Sequence, residues 1–131
     1  MKNKFLIATH GSFSDGFKSA IELITGDSFD IEYVSMYLDN EIDYTSYIEK
    51  TLSLYKNDNL VVLTDLPGGS VNRFFMTLLK DYHFHLISGI NLGLVLELIY
   101  TPDILNSKKI NELLMAENIK ALYCNDLIDN N

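Results

Sequence analysis

The chain has 131 residues, 47% of them hydrophobic, which fits one domain that buries a core without disulfides or a bound metal. Ten Lys and Arg against 18 Asp and Glu give a formal net charge of −8, so the basic surface that nucleic-acid binding needs is missing. No apolar run approaches the roughly 20 residues of a membrane span, and the single cysteine, Cys124, fits a reducing compartment, so we predict a cytoplasmic protein.

The first half of the chain alternates short apolar runs with helical patterns. The first run is apolar on both faces in its middle, as expected for a central strand that helices cover. Apolar residues at helical spacing follow it, with Ser14 as the predicted N-cap and Gly26 at the predicted end. The predicted elements are a strand at residues 2–9, a helix between Ser14 and Gly26, a strand at 29–37, a polar loop at 38–42 and a helix at 43–56.

The second half continues this alternation and ends in a polar tail. Residues 60–64 form the most clearly apolar run of the chain, and Ser70 is the predicted N-cap of the helix that follows. Cys124 closes the last predicted strand, where we expect a small buried residue. The other predicted elements are a strand at 84–88, a short helix opened by Asn91 and ended by Thr101-Pro102, a helix at 107–116, a strand at 119–124 and a fraying tail at 126–131, which leaves one domain over 1–125.

Four strands that alternate with helices predict an α/β fold, a doubly wound parallel sheet with helices on both faces. Loop chemistry, rather than periodicity, predicts the strand order. The loops after the first and third strands hold the most unusual polar residues, which places the switch point of the sheet between these two strands. We therefore predict a four-stranded parallel sheet in the order 2-1-3-4.

These two loops bring a histidine and a carboxylate to the same end of the sheet. His10 follows the first strand, and Asp65 follows the third. A neutral imidazole attacks phosphorus near pH 7 when one ring nitrogen is bare. A carboxylate that accepts a hydrogen bond from the opposite ring N–H fixes that tautomer and stabilises the positive charge that develops on the ring. We predict that Asp65 orients His10 in this way and that His10 carries a phosphoryl group.

A phosphoryl group at this position needs hydrogen-bond donors. The candidates are the backbone N–H groups of Gly11, Gly69 and Ser70, the hydroxyl group of Ser70, and the N-terminal ends of the two helices. The Gly68-Gly69 pair lets the main chain come close where a Cβ atom would intrude.

Other kinds of site find less support. The sequence contains no GxxxxGK[ST] motif for a P-loop. His83 and His85 would share one face of a strand, but without a third ligand we interpret them as solvated or helix-facing rather than as a metal site. Arg73 is interpreted as a surface residue. We expect no metal and no cofactor; the alternative is a flavodoxin-like module that binds a flavin or another phosphorylated small molecule at the same rim without chemistry.

Successive motifs run along nearly the whole chain, and their joint occurrence in order is far more specific than any one of them. They are Ala8-Thr9-His10-Gly11, Thr64-Asp65-Leu66 with Gly68-Gly69-Ser70, Asn72, and Gly89-Ile90-Asn91-Leu92. Together they resemble the signatures of the EIIA domain of the mannose/fructose/sorbose class of the bacterial phosphoenolpyruvate-dependent sugar phosphotransferase system.

The resemblance implies a cytoplasmic phosphotransferase component with defined partners. Its histidine would accept a phosphoryl group from the phosphocarrier protein HPr and pass it to EIIB, which serves the membrane-bound EIIC and EIID components during sugar uptake. Carried over by position, His10 would be phosphorylated on Nε2, Asp65 would orient it, and Ser70 would contact the phosphate. Peripheral association with the membrane transporter is compatible with this role. A relay protein turned regulator, phosphorylated but feeding no transporter, is a further alternative.

The resemblance also implies a homodimer in which an extra C-terminal strand, antiparallel to the sheet, is exchanged between subunits; residues 119–124 match its place. Three positions depart from the family pattern. Pro67 stands where an aromatic residue is usual, and Val71 and Gly93 stand where proline is usual. These positions shape the rim and the partner surface, so they bear on partner choice more than on phosphorylation.

Overall fold

The computed structural model describes residues 1–26, 29–38 and 41–128. Within them, strands and helices alternate as far as the fourth strand, and two helices follow it. The strands are β1 (Asn3–His10), β2 (Ile31–Met36), β3 (Asn59–Thr64) and β4 (His85–Ser88). The helices are α1 (Phe13–Thr25), α2 (Tyr44–Leu54), α3 (Ser70–Leu78), α4 (Leu92–Ile99) and α5 (Ser107–Leu114), followed by short 3-10 helices at Glu117–Ile119 and Cys124–Leu127.

The four strands form one parallel sheet in the order β2-β1-β3-β4, which confirms the predicted fold class and strand order. In the central pair, Ala8 of β1 lies beside Thr64 of β3. The chain therefore leaves these two neighbouring strands at adjacent points of one sheet edge, and the residues that follow, His10 and Asp65, start close together.

Each face of the sheet buries its own apolar cluster, because alternate side chains of the strands point to opposite faces. Ile7 and Leu63 belong to the cluster beneath α1, α4 and α5, whereas Leu6 and Val62 belong to the one beneath α2 and α3. These four side chains are fully buried, as expected for central strands covered on both sides. The rigid central pair is thus the support for the loops that follow it.

The start of α1 differs from the prediction. The helix begins at Phe13, and Ser14 lies inside it as a buried residue rather than as the N-cap. The Ser14 N–H donates to Thr9 Oγ1 at 2.7 Å, and its hydroxyl group shares a 2.7 Å hydrogen bond with that of Ser35. Contacts to β1 and β2 therefore satisfy Ser14. The predicted end of this helix is confirmed, with Gly26 in the left-handed region at φ 71°.

Within this single chain the predicted C-terminal strand at 119–124 is not formed, because Ile119 and Cys124 lie in 3-10 helices and residues 120–123 belong to no strand. Its predicted pairing with a second copy stays a prediction. The backbone is nevertheless extended at Lys120 and Tyr123, and both residues are exposed. Cys124 is exposed in the last 3-10 helix, so the expectation of a buried residue is wrong. In the predicted loop at 38–42, residues 39–40 lie outside the described residues, as do 129–131 of the predicted tail.

Candidate active site

The structure brings His10 and Asp65 into direct contact. His10 is the last residue of β1, and Asp65 directly follows β3, its neighbour in the sheet. One carboxylate oxygen, Asp65 Oδ2, accepts two hydrogen bonds from His10, from the backbone N–H and from ring atom Nδ1, both at 2.9 Å. The two contacts fix the position of the histidine backbone and the angle of its ring together.

The Asp65 carboxylate also sets the tautomer of the imidazole. Burial acts to raise the pKa of the Asp65 carboxyl, but hydrogen bonds from the His10 backbone and ring, with the attraction to the ring, outweigh burial and hold that pKa below its ordinary value. Asp65 is therefore ionised at neutral pH and can only accept hydrogen bonds, so Nδ1 carries the proton. In the neutral ring, Nε2 is then the bare nitrogen.

Ser70 faces this second nitrogen. Its Oγ lies 3.0 Å from His10 Nε2. The N-cap of α3 is Gly69 and not Ser70 as predicted, so Ser70 is the first residue of the helix, at the positive end of its dipole. The His10 side chain is 41% exposed, whereas that of Asp65 is only 10% exposed. The ring thus presents Nε2 toward an accessible opening, while the carboxylate beside Nδ1 is far less exposed.

Gly69 makes room for the ring. Its backbone, with φ −70° and ψ 165°, is open to any residue, so conformational freedom does not require glycine here. Space does, because a Cβ atom on Gly69 would lie 3.2 Å from His10 Cε1 and 3.1 Å from the Leu66 carbonyl oxygen. The main chain thus comes close to the ring at Gly69, whereas at Gly68 an added Cβ atom would meet nothing within 4 Å. The predicted approach of this glycine pair to a phosphoryl group stays a prediction.

Two of the backbone N–H groups that were predicted to donate hydrogen bonds to the phosphate donate to carbonyl oxygens of the protein instead. The Gly11 N–H donates to the Met36 carbonyl oxygen at 2.8 Å, and the Gly69 N–H donates to the Leu66 carbonyl oxygen at 3.0 Å. Both bonds close the loops that hold His10, so these amides stabilise the rim in the unphosphorylated chain. Of the three residues expected to supply backbone donors, Ser70 is the one whose side chain also contacts Nε2 of His10.

The sequence analysis missed one side chain beside His10. The Tyr37 ring lies 5.8 Å from the imidazole, measured between ring centroids, and the two planes are tilted by 46°. Tyr37 directly follows β2, which pairs with β1 on the side away from β3. Because a tyrosine after a strand has no distinctive pattern, no sequence signal could have found it.

The side chains of the remaining candidates make none of the contacts described above for His10, Asp65 and Ser70. Among the described residues, no three side chains of His, Cys, Asp or Glu are grouped as a metal site would require. His85 begins β4 half-buried, and burial, with the nearby His83, lowers the pKa of its ring. His83 and Arg73 are exposed. In the described part of the chain, no helix has the length and apolar character needed to cross a membrane.

A sequence model of the EIIA-man family, described as the PTS system fructose IIA component, matches residues 4–115. The chain belongs to this family. The match covers His10, Asp65 and Ser70, so the whole candidate site lies within it. This confirms the resemblance to EIIA proteins of the phosphotransferase system (PTS) that the sequence motifs indicated.

Solved structures of such proteins share the fold of this IIA component. A Klebsiella pneumoniae structure, described as that of a phosphoenolpyruvate-dependent sugar PTS permease, is 37% identical with a TM-score of 0.86, and the alignment covers 98% of this chain and 96% of that one. The PTS IIA protein associated with the fucose utilization operon of Streptococcus pneumoniae is 24% identical, with a TM-score of 0.79 and 98% of both chains covered.

The mannose/sorbose-specific IIA subunit from Enterococcus faecalis is 24% identical, with a TM-score of 0.76 over 87% of this chain and 88% of that one. The two structures below 25% identity speak for the fold alone. No match is found among curated protein sequences.

Proposed function

We propose that this IIA component carries a phosphoryl group on Nε2 of His10, accepts it from HPr and passes it to EIIB. One observation supports this most strongly: Asp65 Oδ2 holds Nδ1 at 2.9 Å, which leaves Nε2 bare on a ring that is 41% exposed. A bare nitrogen at an accessible rim is what an attacking imidazole requires.

The transfer step uses groups already in place. The lone pair of Nε2 forms a bond to phosphorus, while the bond between phosphorus and the donor breaks and its electron pair leaves with the donor. The ring becomes positively charged, and the ionised Asp65 beside Nδ1 stabilises that charge. The Ser70 hydroxyl group, 3.0 Å from Nε2, turns to a phosphoryl oxygen, and the N-terminal end of α3 favours the added negative charge.

Passing the phosphoryl group on reverses this chemistry at a second partner. EIIB supplies the next nucleophile and hands the phosphoryl group to the sugar that enters through the EIIC and EIID membrane components. The proposed carrier domain spans residues 1–125, works in the cytoplasm, and associates peripherally with that transporter. No cofactor or metal takes part in the proposed step. The nucleophile, the orienting carboxylate and the hydroxyl group that donates a hydrogen bond to the phosphoryl group are all side chains of this protein.

We also propose that the chain forms a homodimer through its C-terminal segment. β4 is an edge strand of the sheet, and an open edge is a template for another strand. Leu122 and Tyr123 are 64% and 69% exposed on a segment with extended backbone at both ends. Exchange of this segment would pair it, antiparallel, with the free edge of β4 in the second copy and would cover its apolar side chains.

The proposal is tested by incubating the chain with phosphoenolpyruvate, enzyme I and HPr, and mapping the label by mass spectrometry. We expect an acid-labile phosphate on His10 and none on a His10→Ala variant. His83→Ala is the matched control, since His83 is exposed but lies outside the site. No labelling of the unmodified chain, or equal labelling of the His10→Ala variant, would overturn the proposal.

A further inference from the structure

Tyr37 adopts a backbone conformation that bulky side chains rarely adopt. Its φ is 68°, and among the described residues it is the one non-glycine residue with positive φ. For an aromatic residue this conformation is strained, and strained residues persist where the surrounding structure holds them, most often at functional sites.

Contacts on both sides of Tyr37 hold it there. The preceding residue, Met36, accepts the hydrogen bond from the N–H of Gly11 at 2.8 Å, which ties the end of β2 to the loop after His10. The Tyr37 ring meets the ring of Tyr44, at the start of α2, edge-on with centroids 6.3 Å apart. The Tyr37 ring also lies 5.8 Å from the imidazole of His10, measured between ring centroids. Tyr37 therefore bridges two fixed elements and the reacting side chain.

We infer that Tyr37 is a positioning residue for phosphoryl transfer, whose ring restrains the imidazole of His10 and shields the phosphohistidine from water. This inference rests on the function proposed above. Asp65 and Ser70 both act through hydrogen bonds to the ring nitrogens, Asp65 to Nδ1 and Ser70 to Nε2. Tyr37 instead packs against the ring itself, the contact that limits its tilting. The Tyr37 side chain is half exposed and that of His10 is 41% exposed, so the two rings lie side by side at the accessible rim.

Shielding matters because water competes with the partner protein for the phosphoryl group. In that side reaction a water oxygen forms a bond to phosphorus, the bond from phosphorus to Nε2 breaks, and its electron pair returns to the ring while inorganic phosphate leaves. A side chain that excludes water from one side of the phosphohistidine slows this loss without slowing transfer to a docked partner.

Two substitutions separate the ring from the rest of Tyr37. Tyr37→Gly removes the ring and tolerates φ 68° without strain, so the variant folds. Tyr37→Phe keeps the ring and removes only the hydroxyl group. Tyr100→Ala is the matched control, because Tyr100 is also about half exposed and also pairs edge-on with an aromatic ring, that of Phe29, which precedes β2 at the opposite end of the sheet from His10.

The measurements are the half-life of phosphohistidine in the absence of partner, the kcat and KM for transfer, and the ring signals of His10 in 15N NMR. For Tyr37→Gly we expect hydrolysis to quicken roughly three- to tenfold, the factor that one aromatic contact contributes. We also expect kcat to fall more than KM changes and the ring signals to broaden. Tyr37→Phe should restore all three, and Tyr100→Ala should leave them unchanged.

The inference is overturned if Tyr37→Gly keeps the half-life, the kinetic constants and the ring signals of the unmodified protein. It is also overturned if Tyr37→Phe behaves like Tyr37→Gly, since the hydroxyl group and not the ring would then be responsible for the effect. A different result, no phosphorylation of the unmodified chain at all, overturns the proposed function. The NMR signals of unphosphorylated protein show in that case too whether Tyr37 restrains the His10 ring.

Discussion

A single oxygen of Asp65 accepts hydrogen bonds from both the backbone N–H and the ring of His10, each at 2.9 Å. The hydrogen bond from the His10 backbone N–H fixes the position of the carboxylate, and the hydrogen bond from Nδ1 lets that carboxylate orient the ring. Because β1 and β3 are adjacent, two residues 55 positions apart in the sequence meet through the rigid centre of the sheet. The pairing of β1 with β3 thus brings the carboxylate to the histidine that it orients.

Replacing Asp65 with asparagine should slow phosphoryl transfer while leaving the fold intact. A neutral amide cannot stabilise a positive ring, and it can offer its N–H to Nδ1 and thereby favour the wrong tautomer. We expect a loss of up to about 10⁴-fold in kcat, the cost of the wrong histidine tautomer when the same change is made in a Ser-His-Asp triad. Stopped-flow transfer from phosphorylated HPr measures this rate, and circular dichroism checks the fold. An unchanged rate would remove Asp65 from the mechanism.

The same carboxylate should make stability depend on pH in the acid range. The pKa of Asp65 is lower in the folded chain than its ordinary value of 3.8, so folding favours the ionised form. Its contribution to the free energy of unfolding is therefore fully present above the unfolded pKa and is lost as pH falls through the folded pKa. Urea unfolding between pH 6 and pH 3 should show the unmodified protein losing stability faster than Asp65→Asn. Parallel curves would contradict the lowered pKa.

Substitutions at the two neighbouring glycines should affect different properties, transfer at Gly69 and stability at Gly68. In Gly69→Ala the new Cβ meets His10 Cε1 at 3.2 Å, so transfer should slow through displacement of the ring. In Gly68→Ala the new Cβ meets nothing within 4 Å, but φ 75° is unfavourable for alanine, so the melting temperature should fall while transfer is largely kept. Kinetics and thermal melts of both variants test this. Equal loss of transfer in the two variants would show that backbone strain, not contact with the ring, is responsible.

Features that depend on local sequence patterns could be predicted from the sequence, whereas features that depend on contacts between segments of the folded chain could not. The parallel sheet and its order followed from apolar runs and from polar loops after the first and third strands, and His10 and Asp65 followed from their places in those loops. The prediction of Ser14 as an N-cap was wrong because its hydrogen-bond partners, Thr9 and Ser35, belong to strands that only the folded chain brings to it.

The role of Tyr37 and the partners of the loop amides could not be predicted from the sequence for the same reason, since both depend on contacts that only the folded chain forms. The position of the Tyr37 ring depends on a backbone conformation that no sequence rule assigns to tyrosine. The N–H of Gly11 donates to Met36, a residue of the neighbouring strand, and a local motif cannot show that its donor is engaged. Cys124 is exposed in a 3-10 helix, after residues 120–123, which join no strand in a single chain.

Disrupting the C-terminal segment should give a monomer that still accepts phosphoryl. In Leu122→Asp/Tyr123→Asp, two charges replace exposed apolar side chains that the proposed exchange would bury. Leu23→Asp is the control, since Leu23 is 84% exposed on α1, outside that segment. Light scattering should report a dimer for the unmodified protein and the control, and a monomer for the double variant. A dimer that persists in the double variant would place the interface elsewhere.

The claim that most of this account depends on is that Nε2 of His10 is the phosphorylated atom, because Asp65 engages Nδ1. The most direct measurement is phosphorus–nitrogen coupling in the NMR spectrum of the phosphorylated protein, labelled with 15N in its histidines. The account predicts coupling of one phosphorus to Nε2 of His10, with the proton still on Nδ1. Coupling to Nδ1, or phosphorus on another residue, would contradict it.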